Sequence, residues 1–259
     1  DFYGRFPNLE NFKEQLEEKQ LSFKSDSRKT LVRALQKQYG NANTSEATLH
    51  NISSLSEANT FTITTGHQLN LFTGPLYFLY KIISTIKLTA ELKKKYPTYN
   101  FVPIYWMATE DHDFEEINYF NFNNKKIKWN KDSKGPVGRL STEGLKAVFE
   151  EFSAALGKGE NANFLRELFK SSYLNHNTLT EATQFLTNEL FKNEGLVIID
   201  GDNKNLKKPF APYIKNELIN QTSFNEVNKT NSHLKDYKIQ VNPREINVFY
   251  ILDNLRERI

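Results

Sequence analysis

An α/β fold with a parallel sheet is what this sequence predicts, and three observations carry it. Short apolar runs at about 60–64, 101–107 and 195–200 read as strands. A long amphipathic run at about 75–95 lies between the first two, and strand–helix–strand order implies a right-handed parallel crossover. The run Phe101-Val102-Pro103-Ile104-Tyr105-Trp106-Met107 is apolar on both faces, as a strand covered by helices on each side should be.

The elements follow in order. Helical stretches come first, at about 8–20, 25–39 and 45–58, with Gly40 a stop for the second. Phe61-Thr62-Ile63-Thr64 alternates apolar and polar, and its strand should end in a polar loop from Thr65. Pro75 suits the first turn of the next helix, where a missing N–H costs nothing. Leu76, Leu79, Tyr80, Ile83, Ile86 and Ala90 recur at helical spacing, and Lys93-Lys94-Lys95 sits where the helix dipole favours positive charge. After the second strand, 119–129 alternates aromatic and polar residues around Asn123-Asn124 and reads as a hairpin. A loop at 136–140 precedes helices at about 142–156, 161–172 and 178–193. Gly195–Asp200 returns to a short strand ended by an acid, 209–220 reads as a crossover helix, and 244–252 as a further strand. Arg256–Ile259 then follows with no closing element expected.

Composition narrows the function. The 259 residues suffice for one large core or two modest domains, and 38% hydrophobic with 25% charged content fits a globular protein. No apolar run approaches the roughly 20 residues needed to span a bilayer, and a cytoplasmic home is the default. Cys is absent, which excludes disulfides, a cysteine nucleophile and a thiolate metal site within the chain. Net charge is only +3, and no arginine-rich stripe with interleaved aromatics occurs, so a nucleic-acid partner is not expected.

Two polar clusters follow consecutive strands and should face one crevice, because parallel strands end on the same sheet edge. The first, Thr65–Gly74, holds Gly66, His67, Gln68, Asn70, Thr73 and Gly74, polar groups at a helix N-terminus and so an anion or nucleotide site. Its glycines also serve simply to make tight turns. The second is Glu110-Asp111-His112-Asp113. Its acids read as helix-start charges, which leaves His112 among them unexplained. A carboxylate-oriented His112 can position an amine or take its proton, with Asp111 and Asp113 orienting substrate. Asp and His also ligate metals, but adjacent residues rarely all face one ion, and no metal site is predicted. Trp106 suits the core and stacking on a base or sugar equally. Asp200 is either a hydroxyl-binding acid at a third strand end or a loop acid. Arg244 either grips a carboxylate bidentately or pairs with a neighbouring acid.

The segments Thr65-Gly66-His67-Gln68, Phe72-Thr73-Gly74-Pro75-Leu76-Tyr77 and Trp106-Met107-Ala108-Thr109-Glu110-Asp111-His112-Asp113-Phe114-Glu115-Glu116, in this order and spacing, resemble the cysteine ligase family of bacillithiol biosynthesis. Gly135-Pro136-Val137-Gly138-Arg139 and Asn242-Pro243-Arg244-Glu245-Ile246-Asn247 extend the resemblance over most of the chain. His67 stands where that family commonly has glutamine. The resemblance implies a Rossmann-like parallel sheet with a helical connective-peptide insertion. On that reading 1–118 holds the N-terminal helices and first half of the core, 119–177 the insertion, and 178–259 the second half. It further implies a coiled coil beyond residue 259 and a homodimer made through it. The implied activity joins the carboxyl of L-cysteine to the amine of glucosaminyl malate, with ATP as the expected activating partner. Thr73-Gly74-Pro75-Leu76 resembles the approach to the HIGH signature of class I aminoacyl-tRNA synthetases, but Tyr77-Phe78-Leu79-Tyr80 replaces its two histidines, so adenylate chemistry does not carry over on that motif. The rival readings are a catalytically silent nucleotide- or sugar-binding protein and, third, a metal-dependent hydrolase.

Overall fold

The computed structural model describes residues 4–40, 44–234 and 236–259. In chain order the helices and strands are α1 (Phe12–Ser22), α2 (Ser25–Tyr39), α3 (Glu46–Ser54), β1 (Thr60–His67), α4 (Tyr77–Lys95), β2 (Asn100–Met107), α5 (Phe114–Ile117), β3 (Tyr119–Phe122) and β4 (Lys125–Lys128). Then come α6 (Leu145–Ala155), α7 (Glu160–Phe169), α8 (Leu179–Phe191), β5 (Val197–Asp200), α9 (Lys204–Lys207), α10 (Ala211–Asn220), α11 (Thr222–His233), β6 (Phe249–Leu252) and β7 (Leu255–Arg258).

Local chemistry explains many of these boundaries. Ser45 accepts the Thr48 N–H and starts α3, while Thr178 and Glu181 form a reciprocal capping box on α8. Asn123 and Asn124 both take positive φ, the left-handed pair that a tight hairpin between β3 and β4 requires. Buried Arg28 on α2 donates to the carbonyls of Leu55, Ala58 and Thr60, buckling the end of α3 to the start of β1. Three carbonyl partners are what make a buried guanidinium tolerable there.

The central sheet is parallel, in the order β1–β2–β5, with His67 beside Met107 and Met107 beside Asp200 at the C-terminal edge. Phe78 of α4 meets His67 and Tyr105 edge-on, so α4 covers the face that carries those two residues. β5 lies at the border of the sheet, and α2 closes it: the Tyr39 hydroxyl accepts the Ile198 N–H at 2.7 Å, and the Gln38 amide both accepts the Asp200 N–H and donates to the Ile198 carbonyl. The main core joins sheet residues Val102, Ile104 and Tyr105 to Phe120, Trp129, Phe152 and Phe169 from the middle of the chain.

Three expectations are corrected. β1 runs on to His67, because Thr65, Gly66 and His67 still pair with Tyr105, Trp106 and Met107. α4 starts at Tyr77 rather than Pro75, because Phe72, Thr73 and Gly74 take positive φ in succession and that turn must finish before the helix can begin. The end of the chain does have a closing element: the strand expected at 244–252 is limited to β6, which pairs antiparallel with β7 as a separate hairpin, and α11 occupies a stretch to which the sequence assigns no element.

Candidate active site at the sheet edge

The C-terminal edge of the sheet gathers the predicted polar residues. Gln68, just past β1, donates its side-chain amide to Asp111 at 2.8 Å and to Glu116 at 2.7 Å. Asn70 donates to the Glu116 carbonyl at 3.3 Å, and the Ala108 N–H reaches the His67 carbonyl at 3.0 Å. The loop that follows His67 and the acidic segment therefore meet across one edge, joined by direct hydrogen bonds from Gln68 and Asn70.

Asp111 organises the acidic turn. Its Oδ1 accepts the N–H groups of His112 and Asp113. Burial pushes its carboxyl upward, but the Gln68 amide and those N–H groups outweigh this and hold it below the ordinary value of 3.8. His112 Nδ1 lies 3.4 Å from Asp111 Oδ1, and its Nε2 lies 3.4 Å from Arg256 Nη1. Arginine can only donate, so Nε2 is the acceptor there and the Nδ1 proton faces the carboxylate. That tautomer leaves the lone pair of His112 directed away from the acidic turn. His112, Asp111 and Asp113 hold ligand atoms within 4.8 Å of one another and are the group among the described residues that could seat a divalent ion. The Asp111 carboxylate already accepts three hydrogen bonds and faces the His112 ring, which leaves that trio poorly prepared for one.

A second network lies beside the first. Thr109 donates to Asp200 Oδ1 at 2.6 Å, and the Asp202 N–H bonds both Thr109 Oγ1 and Asp200 Oδ1. Asp202 in turn holds Arg139 at 2.6 Å and Lys207 at 2.5 Å, and Lys207 also reaches Glu110 at 2.7 Å. Burial raises the Asp202 carboxyl, yet the Arg139 and Lys207 charges win and keep it low. Arg139 also grips Asp253, in the turn between β6 and β7, at 2.8 Å. The backbone of 253–255 passes so close to Gly135 that a Cβ there would sit 2.7 Å from the Asp253 carbonyl oxygen. The terminal hairpin is thus tied over the sheet edge, with Arg256 against His112.

The remaining predicted residues fall as follows. His67 is 7% exposed, its ring against Tyr77 and Phe78 and its Nδ1 at 3.0 Å from the Gln68 carbonyl. Burial lowers its pKa, so the ring is neutral and used internally. Gly66 lends its carbonyl to Lys81 at 2.5 Å. Gly74 is pressed on Asn70, where a Cβ would lie 2.6 Å from the Asn70 Cβ, and Thr73 shares its left-handed turn. Trp106 is 40% exposed, and a Cβ at Gly201 would sit 2.9 Å from its indole nitrogen, so that glycine leaves room for the ring. Asp200 is engaged by Thr109, and Arg244 lines a cavity of about 450 Å³ with His112. Sequence reasoning missed Thr109, Glu116, Asp202, Lys207, Arg256 and Arg258. Thr109 and Glu116 lie inside the Trp106–Glu116 motif, but the two arginines give no signal, because a charged segment of this kind reads as solvated surface.

A Rossmann-like α/β domain with a polar crevice at the C-terminal sheet edge is the class these features define. The chain belongs to the family described as bacillithiol biosynthesis BshC, N-terminal Rossmann-like domain, whose model matches residues 1–259. Relatives named Putative cysteine ligase BshC include one from Flavobacterium johnsoniae, 63% identical over 99% of this chain and 49% of its own length. Another from Cytophaga hutchinsonii is 41% identical over 99% of this chain and 47% of its own, and one from Bacillus anthracis 30% identical over 82% and 41%. The chain spans about half the length of the curated relatives it matches. Among the described residues no helix is long and apolar enough to cross a membrane.

Proposed function

We propose that this protein is the cysteine ligase of bacillithiol biosynthesis, acting in the cytoplasm to join the carboxyl of L-cysteine to the amine of glucosaminyl malate. The observation that carries the reading is the Gln68–Asp111 hydrogen bond, which puts the two family motifs into one site beside His112. The name carried by the relatives supports the same activity.

A free carboxylate is a poor electrophile, so the acyl group must first be activated, and ATP is the activating substrate in this reading. The amine nitrogen then attacks the activated acyl carbon, the new C–N bond forms, and the C–O bond to the leaving group breaks. His112 is the base in this step, its Nε2 receiving the amine proton once Arg256 turns from that nitrogen to the substrate, while Asp111 holds the Nδ1 side. Asp113 and the Gln68 loop orient the polar groups. Tyr77 and Tyr80 stand on α4 where the HIGH-type histidines would be, so activation here does not rely on imidazoles at those positions.

The test is a mass-spectrometric assay of the full-length protein with cysteine, glucosaminyl malate and ATP. Wild type should form the cysteinyl product, and His112→Ala should lose it with its circular dichroism and melting unchanged. Product formed at the wild-type rate by that variant removes His112 as the base. No product from wild type defeats the ligase reading itself.

A further inference from the structure

The cavity beside His112 gathers three arginines and two asparagines around an apolar floor. Its walls are His112, Asn242, Arg244, Asn247, Arg256 and Arg258, with Ile246 and Phe249, and among the described residues no Asp or Glu lines it. Elsewhere around this edge the basic groups are paired: Arg139 with Asp202 and Asp253, Lys207 with Asp202 and Glu110. Among the described residues none of the three cavity arginines has a carboxylate partner; Arg256 touches only the Phe249 ring, at 3.7 Å, and His112. Three guanidinium groups around one concavity beside His112 make the local potential positive, which favours an anion there.

The cluster is also held in shape before any ligand arrives. Arg256 and Arg258 are two apart on β7 and so project to the same side of the hairpin. Arg244 sits on a turn locked by Asn247, whose side chain accepts the Arg244 N–H and donates to its carbonyl, and Asn247 is itself held by Glu217 of α10. Planar guanidinium forks on two separate segments suit two carboxylates held apart on one small molecule.

We propose that this cavity binds the dicarboxylate end of the amine-bearing substrate, seating its acidic group on Arg244, Arg256 and Arg258 so that the amine lies at His112 Nε2. The proposal deepens the ligase reading and rests on it for the identity of the amine. It differs from that reading in assigning the terminal hairpin and the turn at Arg244 a direct role in binding substrate.

The experiment is calorimetric titration of the full-length protein with L-malate, inorganic phosphate and ATP in separate arms, on wild type, Arg244→Gln and Arg258→Gln. Malate should bind wild type, and each variant should weaken it about tenfold or more, the loss of a charge-assisted hydrogen bond. ATP affinity should stay unchanged, and melting curves should match wild type. Malate binding that is absent, or equal in all three proteins, overturns the proposal. So does phosphate binding as tightly as malate, or ATP affinity falling in the variants while malate affinity holds. Arginine-dependent malate binding in a protein that forms no cysteinyl product supports the cavity while the ligase reading fails.

Discussion

Gln68 gives one amide nitrogen to two carboxylates, Asp111 in the acidic turn and Glu116 on α5. Replacing it with leucine removes both bonds and leaves Asp111 partly buried without that donor. We expect Gln68→Leu to cost about 1–3 kcal/mol in urea unfolding and to lower turnover more than His67→Gln does. His67 has a different consequence. Its folded-state pKa lies below the ordinary 6.5, so the unfolded chain takes up a proton more readily than the native one. The stability it contributes is complete above pH 6.5 and declines as pH falls from there toward the lowered folded value. Denaturant unfolding at pH 7.5 and 5.5 should therefore show wild type losing stability on acidification, and His67→Gln losing less. The two polar clusters were legible in the sequence because strand order alone sends them to one edge. The burial of His67 was not, since nothing local says that Tyr77 and Phe78 will turn back onto it.

Short loops set the accuracy of the site at the scale of elements. Gly138, in the turn that carries Arg139, lies so close to Thr109 and Thr180 that a Cβ would be 2.6 Å from a side-chain atom of each. Thr109 is the residue that orders Asp200 and Asp202, so crowding at Gly138 should reach both. We expect Gly138→Ala to destabilise the protein by about 1–3 kcal/mol, read as a lowered urea midpoint. Arg28 on α2 poses the opposite case, a cavity with abandoned carbonyls. Arg28→Ala should cost at least about 3 kcal/mol by the same measurement, because the carbonyls of Leu55, Ala58 and Thr60 lose their donor. Helices with a buried stripe, such as α2 and α4, were readable from periodicity. α11 was not, because it buries no residue and its Asn, Ser and Thr content reads as loop. β6 fell inside the run read as a strand at 244–252, but β7 and its pairing escaped for a similar reason: the strands are four residues each and their apolar side chains remain largely in solvent.

Across the molecule, the aromatic core binds the middle of the chain to the sheet edge. Phe72, in the left-handed turn before α4, packs against Phe120, Phe152 and Phe169, and the Tyr173 hydroxyl accepts its N–H. Backbone held in that region persists only when its surroundings insist on it, and here the insistence comes from residues 120–173. Phe152→Ala should cost about 3–5 kcal/mol and also weaken substrate binding, since the polar turn at 73–74 loses its anchor. Urea unfolding combined with the product assay checks both. Sequence periodicity revealed the parallel order of strands, whereas this long-range packing lies in side-chain shape that no local pattern encodes. The closure of β5 by α2 has its own outcome. A border strand normally exchanges its outward amide hydrogens quickly and invites a stray strand to add on. With Tyr39 and Gln38 occupying those groups, the Ile198 and Asp200 amides should exchange as slowly as interior ones, and self-association through that border should begin only once α2 peels away.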